Sequence, residues 1–129
     1  MNSLVGLALV VCDEVYREVG GKFALIGLFN EIRCASFPAR HPRLCVFVSL
    51  TDMHPGTTLR LDIVDGETDE RILRLEGPPP LNTNPTAICD LQFTLDSLTL
   101  PREGTYYIQF WGNDKLLLQR PFHVRRVES

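Results

Sequence analysis

Leu98-Thr99-Leu100-Pro101-Arg102-Glu103-Gly104-Thr105-Tyr106-Tyr107-Ile108-Gln109-Phe110-Trp111 is the stretch that decides the fold class. A proline turn leads into a glycine, and apolar residues then fall at every second position: Tyr106, Ile108 and Phe110. Successive side chains of an extended chain point to opposite sides, so aromatic and β-branched residues at period two read as a strand with one buried face. Tyr107, Gln109 and Trp111 then share the opposite face of that strand.

The same period recurs along the chain. Leu44, Val46, Val48 and Leu50 alternate with the apolar Cys45 and Phe47, which predicts a central strand covered on both sides. Leu59, Leu61 and Ile63 alternate with Arg60, Asp62 and Val64, a half-exposed strand. Ile72, Leu73 and Leu75 mark its return. Cys89, Leu91, Phe93 and Leu95 alternate with Asp90, Gln92 and Thr94, and a last strand ends in Phe122 and Val124. Upstream, a first strand over residues 7–19 is expected to kink near Cys12-Asp13-Glu14. Gly20-Gly21 is a hairpin signal, and the return strand runs over residues 22–33. On that return strand Phe23, Leu25 and Phe29 lie on one face, and Ile26, Leu28 and Ile32 on the other, with Gly27 marking a bulge. Residues 36–42 read as a loop, and the proline-rich residues 77–85 read as stiff and unpaired.

Nothing in the chain keeps helical periodicity beyond about two turns. Strands without crossover helices pair mainly antiparallel. A tyrosine just inside a strand, after Pro-x-x-Gly, resembles the corner tyrosine of immunoglobulin-like sandwiches. The expected fold is therefore all-β: an immunoglobulin-like antiparallel two-sheet β-sandwich of about eight strands, forming a single domain over residues 1–129.

A chain of 129 residues buries enough surface to fold without metals or disulfides. Its net charge of −3 argues against nucleic acid as a partner, since that affinity comes largely from neutralising phosphates. The apolar run from Leu4 to Cys12 passes superficially for a lipoprotein signal. No Lys or Arg precedes it, and Val11 is too bulky for the position before a lipidated cysteine. It is also too short to span a bilayer, so it reads as a first strand, with no membrane insertion. Cys12, Cys34, Cys45 and Cys89 sit in or beside apolar runs, and no Cys-x-x-Cys occurs. They read as free thiols of a cytoplasmic protein.

Cys12-Asp13, Gly20-Gly21-Lys22-Phe23, Ile26-Gly27, Phe37-Pro38 and the tail Pro121-Phe122-His123-Val124 together resemble a family of small uncharacterised bacterial β-sandwich proteins, a domain of unknown function. The resemblance covers nearly the whole chain. It implies a single-domain sandwich and carries over no catalytic residue.

Signals for chemistry are weak. His41, His54 and His123 are scattered, with no spacing that shares a metal. A Gly-x-Ser-x-Gly elbow and a glycine-rich phosphate loop are absent from the sequence. Asp65, Glu67, Asp69 and Glu76 match positions of a calcium loop, but Glu70 stands where the sharp turn needs glycine. The expectation is no catalytic residue, no metal and no cofactor. The chain reads as a non-enzymatic interaction module, acting by self-association as a homodimer or by docking an unidentified protein. One alternative is a carbohydrate-type ligand module using Tyr107 and Trp111, with Gln109 beside them. A second is an enzyme whose site is assembled from loops around Asp52, His54 and the cysteines. The first hairpin adds Ile26 and Leu28 to the candidate contacts. A two-strand ribbon apolar on both faces must be covered twice.

Overall fold

The computed structural model describes residues 4–77 and 86–128; the proline-rich stretch 78–85 lies outside the described residues. Nine strands are described: β1 (Val5–Arg17), β2 (Phe23–Leu28), β3 (Glu31–Cys34), β4 (Ala39–Thr51), β5 (Leu59–Asp65), β6 (Arg71–Glu76), β7 (Cys89–Leu100), β8 (Gly104–Gly112) and β9 (Lys115–Arg126). They form a four-stranded sheet, β2-β1-β4-β7, and a five-stranded sheet, β3-β9-β8-β5-β6. Leu44, Val46, Val48 and Leu50 of the first sheet face Leu61, Ile63, Ile108 and Phe110 of the second across one apolar core. Rings join across it, Phe93 lying 6.2 Å from Phe110.

The expected sandwich is present, with corrections to its strands. The return strand does not run unbroken over residues 22–33. It stops at Leu28, and residues 31–34 form β3 in the other sheet, which raises the count from about eight to nine. The pairing is not wholly antiparallel either, because β3 lies parallel to β9. The cause is local. Ile32 turns into the core, leaving the side shared by Ile26 and Leu28. Asn30 secures the crossing, its carbonyl accepting the His123 N–H at 2.8 Å and its side chain accepting a bond from Arg120 at 2.9 Å. Likewise β4 begins at Ala39, inside the stretch read as a loop, because Ala39, Arg40 and His41 pair with Leu100, Thr99 and Leu98 of β7.

Tyr106 enters β8 with its ring buried and stacked 5.5 Å from Phe122. Its hydroxyl donates to the Arg102 carbonyl at 2.6 Å and accepts the Arg102 N–H at 3.2 Å. This is the tyrosine corner. Two residues on, where antibody domains carry the second cysteine of their inter-sheet disulfide, stands the fully buried Ile108. All four cysteines are free thiols.

The first hairpin is bent. Phe23 pairs with Arg17, and Phe47 with Val10, positions that straight strands would hold roughly 23 Å apart. Their rings nevertheless meet edge to face at 5.4 Å. The tip of the hairpin therefore folds back over the outer face of the four-stranded sheet. The bend falls at Asp13 and Gly27, where the ladder skips from Cys12↔Leu28 to Glu14↔Ile26. Gly27 adopts φ 74°, and a Cβ there would meet the Asp13 carboxylate at 2.4 Å. Only glycine fits both conditions.

Three outcomes are expected in denaturant titrations. Gly27→Ala lowers stability by roughly 1–3 kcal/mol, through left-handed strain and the clash with Asp13. Tyr106→Phe costs about 0.5–1.5 kcal/mol for the lost hydroxyl bond, and Tyr106→Ala about 3–5 kcal/mol through the cavity. A Tyr106→Ala protein unfolding at the wild-type midpoint would contradict the corner.

Candidate interaction surfaces

The outer face of the five-stranded sheet brings Tyr107, Gln109 and Trp111 together as the sequence pattern requires. In register they lie beside Val64, Asp62 and Arg60 of β5. None of the three is fully open. The Arg60 guanidinium lies 4.5 Å over the Trp111 ring. The indole N–H donates to the Gln109 side chain at 3.3 Å, which in turn donates to Gln119 at 2.8 Å. Beside Trp111 is a cleft of about 300 Å³, lined by Thr58, Leu59, Arg60, Arg74, Glu76 and Asp114.

At the centre of this face sits Asp62, its side chain only 4% exposed. Arg74 donates to its two oxygens at 2.9 and 3.1 Å, and Arg60 approaches at 3.4 Å. Burial pushes the Asp62 pKa up, but the two guanidiniums outweigh it and hold the carboxyl below its ordinary value. Arg60 therefore has three attachments: it pairs with Asp62 and Asp114 while covering Trp111. A sugar ring approaching Trp111 on that side would meet arginine before indole. The pattern of β5 gave Arg60 and Asp62 as a solvated face, because alternation shows which way a side chain points but not what its neighbours on β6 and β8 will cover.

The hairpin presents the opposite chemistry. Val15, Phe23 and Leu25 are half-buried where the tip lies against the sheet, while Tyr16, Ile26 and Leu28 are exposed at 51%, 52% and 65%. β2 is also the edge of its sheet, with β1 its one paired neighbour among the described residues. Natural edge strands are blunted by charges, prolines or covers, yet residues 23–30 contain no charged side chain or proline.

The residues of a loop-assembled site are only partly gathered. Asp52 and His54 line a polar cleft of about 200 Å³ with Thr57 and Asn113, but no cysteine lines it. Asp65 lies at the far end of β5 from Thr58, so Asp52, Asp65 and Asp114 do not share a pole. Its carboxylate accepts a bond from Arg102 at 2.8 Å and another from the Glu67 N–H at 2.9 Å. Burial raises the Asp65 pKa, but these bonds override it and leave the carboxyl lowered. Burial raises the thiols of Cys12, Cys34 and Cys89, which weakens them as nucleophiles. His123 points outward, with Thr105 as neighbour at 3.1 Å. Among the described residues no group of three or more His, Cys, Asp or Glu is arranged to hold a metal. An apolar cleft of about 280 Å³, absent from the sequence reading, opens between the edge strands β6 and β7. Ile72, Leu73, Leu75, Leu95 and Leu98 line it, gathered by the gap between two sheets that single strands do not reveal.

A family model described as a family of unknown function (DUF6941) matches residues 7–125. The chain belongs to that family. Its fold is similar to that of an immunoglobulin-like protein from Pseudomonas aeruginosa, with 16% identity, a TM-score of 0.50, and 95% of this chain and 97% of that one covered. No curated protein matches it. No helix among the described residues is long and apolar enough to cross a membrane.

Stability should fall in acid for identifiable reasons. A carboxyl whose folded-state pKa is depressed contributes stability above its unfolded value, about 3.9 for aspartate, and loses it as pH falls through the folded value. Asp62 and Asp65 both belong to this class. Denaturant midpoints should hold between pH 7 and 5 and drop below about 4, and the Asp62→Asn/Asp65→Asn variant should lose most of that slope. An unchanged slope would place the acid sensitivity elsewhere.

Proposed function

We propose that the protein is a non-enzymatic interaction module of the cytoplasm that self-associates or docks a protein partner through its first hairpin. The observation that carries this reading is the exposure of Ile26 and Leu28 on an uncharged edge strand. The bend uses one face of the ribbon as a cover for its own sheet and leaves the other face outward. Apolar side chains gathered on an unblunted edge favour contact with another chain. Two facts support the non-enzymatic part. Asp62 and Asp65 are neutralised by arginines rather than poised for proton transfer, and burial makes three of the four thiols poor nucleophiles. Four unpaired cysteines accord with a reducing compartment.

Self-association is the first form to test. Light scattering over a dilution series should show molar mass rising above the 14.6 kDa of one chain as concentration increases. The Ile26→Asp/Leu28→Asp variant should stay at the mass of one chain, with the wild-type denaturant midpoint at dilutions where the wild type is also a single chain. Trp111 fluorescence should not respond to dilution, since the indole lies on the other sheet. A wild-type monomer at every concentration removes self-association. A wild-type oligomer that survives both substitutions moves the contact away from β2.

A further inference from the structure

Cys12 of β1 and Cys45 of β4 are direct cross-strand partners. Side chains of directly opposed residues project from the same face of an antiparallel pair, with Cβ atoms about 4.5–5.5 Å apart. Their neighbours Val11 and Val46 point into the core, so both thiols lie on the outer face of the four-stranded sheet. An outer face should be wet, yet Cys12 is 0% and Cys45 2% exposed. The folded-back hairpin covers Cys12, and Thr94 of β7 stands beside Cys45 with its hydroxyl 3.8 Å from the sulfur. The Cys12 thiol donates to the Glu14 carbonyl at 3.4 Å, just past the bend. Phe23 reaches over to Phe47, two residues along β4 from Cys45.

We propose that Cys12 and Cys45 form a dithiol site beneath a hinged flap, the hairpin tip of residues 14–26, which admits soft ligands able to bind two sulfurs at once. The hinge is the unpaired step at Asp13 and Gly27. The tip is held by half-buried rather than buried side chains, Val15, Phe23 and Leu25, with the Phe23–Phe47 ring contact among them, and by a 3.8 Å ion pair from Glu14 to Arg43, whose side chains are 41% and 53% exposed. Segments held by few buried contacts open locally without global unfolding. Closure also suppresses reactivity, since burial and the neighbouring Cys45 raise the Cys12 thiol. Cys34 and Cys89 are not cross-strand partners of each other or of this pair, so the site is the one place where the ladder sets two thiols side by side.

An aryl arsenoxide probes the site, because stable capture needs two thiols. Each thiol gives its proton to the arsenic-bound oxygen, two As–S bonds replace the As–O bonds, water leaves, and no electrons change hands. Intact mass and peptide mapping of the native protein should find one arsenic bridging Cys12 and Cys45, with Cys34 and Cys89 unmodified. Phe23→Ala, which removes the ring contact, should speed bridging about tenfold or more. If that variant does not fold, Glu14→Gln is the substitute, weakening the exposed ion pair to Arg43 while leaving the 3.2 Å bond from Arg43 to Asp96 of β7 in place. Tyr106→Phe is the control, since it weakens the fold without touching the flap. No arsenic in native wild type overturns the proposal. So does an equal acceleration by Tyr106→Phe, which would mean that the thiols are reached by global unfolding.

Discussion

The buried Tyr106 ring, its hydroxyl bonded twice to the Arg102 backbone, is the constraint on which the sandwich depends. It fixes the point where the chain leaves β7 in one sheet and enters β8 in the other. A one-residue slip there would send Tyr107, Gln109 and Trp111 inward and expose Ile108 and Phe110. The corner is braced from outside, because the same Arg102 reaches Asp65 at the end of β5 and so ties the turn after β5 to the turn before β8. Asp65 is also the β5 partner of Tyr106, so the knot sits at the end of the β5–β8 ladder. No disulfide shares the work, and Ile108 fills the position where one would anchor in an antibody domain.

The sequence made the phase of β4, β5, β7 and β8 legible and left two kinds of information out. Alternation placed Tyr106, Ile108 and Phe110 inward and Tyr107 and Trp111 outward, because period two is a property of the strand itself. The break between β2 and β3 was not legible. Phe29 and Asn30 carry no proline or glycine, and the decision to cross sheets is made by Ile32 finding the core and Asn30 finding Arg120 and His123. The candidate contacts divided the same way. Ile26 and Leu28 were placed as apolar residues in need of a cover, and they are exposed. Alternation puts Trp111 on the outer face, and the guanidinium over it comes from a neighbouring strand that alternation does not identify.

The two outer faces differ in how far each satisfies itself. On the five-stranded sheet the buried charge of Asp62 is matched by Arg60 and Arg74, and the Trp111 indole bonds to Gln109. Breaking such a face open for a ligand would uncouple a buried carboxylate from its partners, which costs several kcal/mol. On the four-stranded sheet the covering element is the chain's own hairpin, and the cover is incomplete. Phe23 and Leu25 gain shelter while Ile26, Leu28 and Tyr16 remain in water.

Magnitudes then decide what kind of contact that hairpin can make. Fully burying Ile26 and Leu28 gains about 1.5–3 kcal/mol each. Association costs at least about 4 kcal/mol in lost translational and rotational freedom before side-chain ordering is counted. Two aliphatic side chains therefore bring a contact only near break-even. A stable complex through β2 also needs the Tyr16 ring and the unpaired backbone groups of the edge, each added hydrogen bond contributing about 0.5–1.5 kcal/mol. Strand addition supplies both together, since pairing along β2 satisfies the edge and carries Ile26 and Leu28 under the incoming chain. Face-to-face contact alone would leave the edge groups in water and the complex weak. The bend at Gly27 sets this outcome. It turns Phe23 and Leu25 away from solvent and leaves β2 as a short, uncharged edge with apolar side chains beside it.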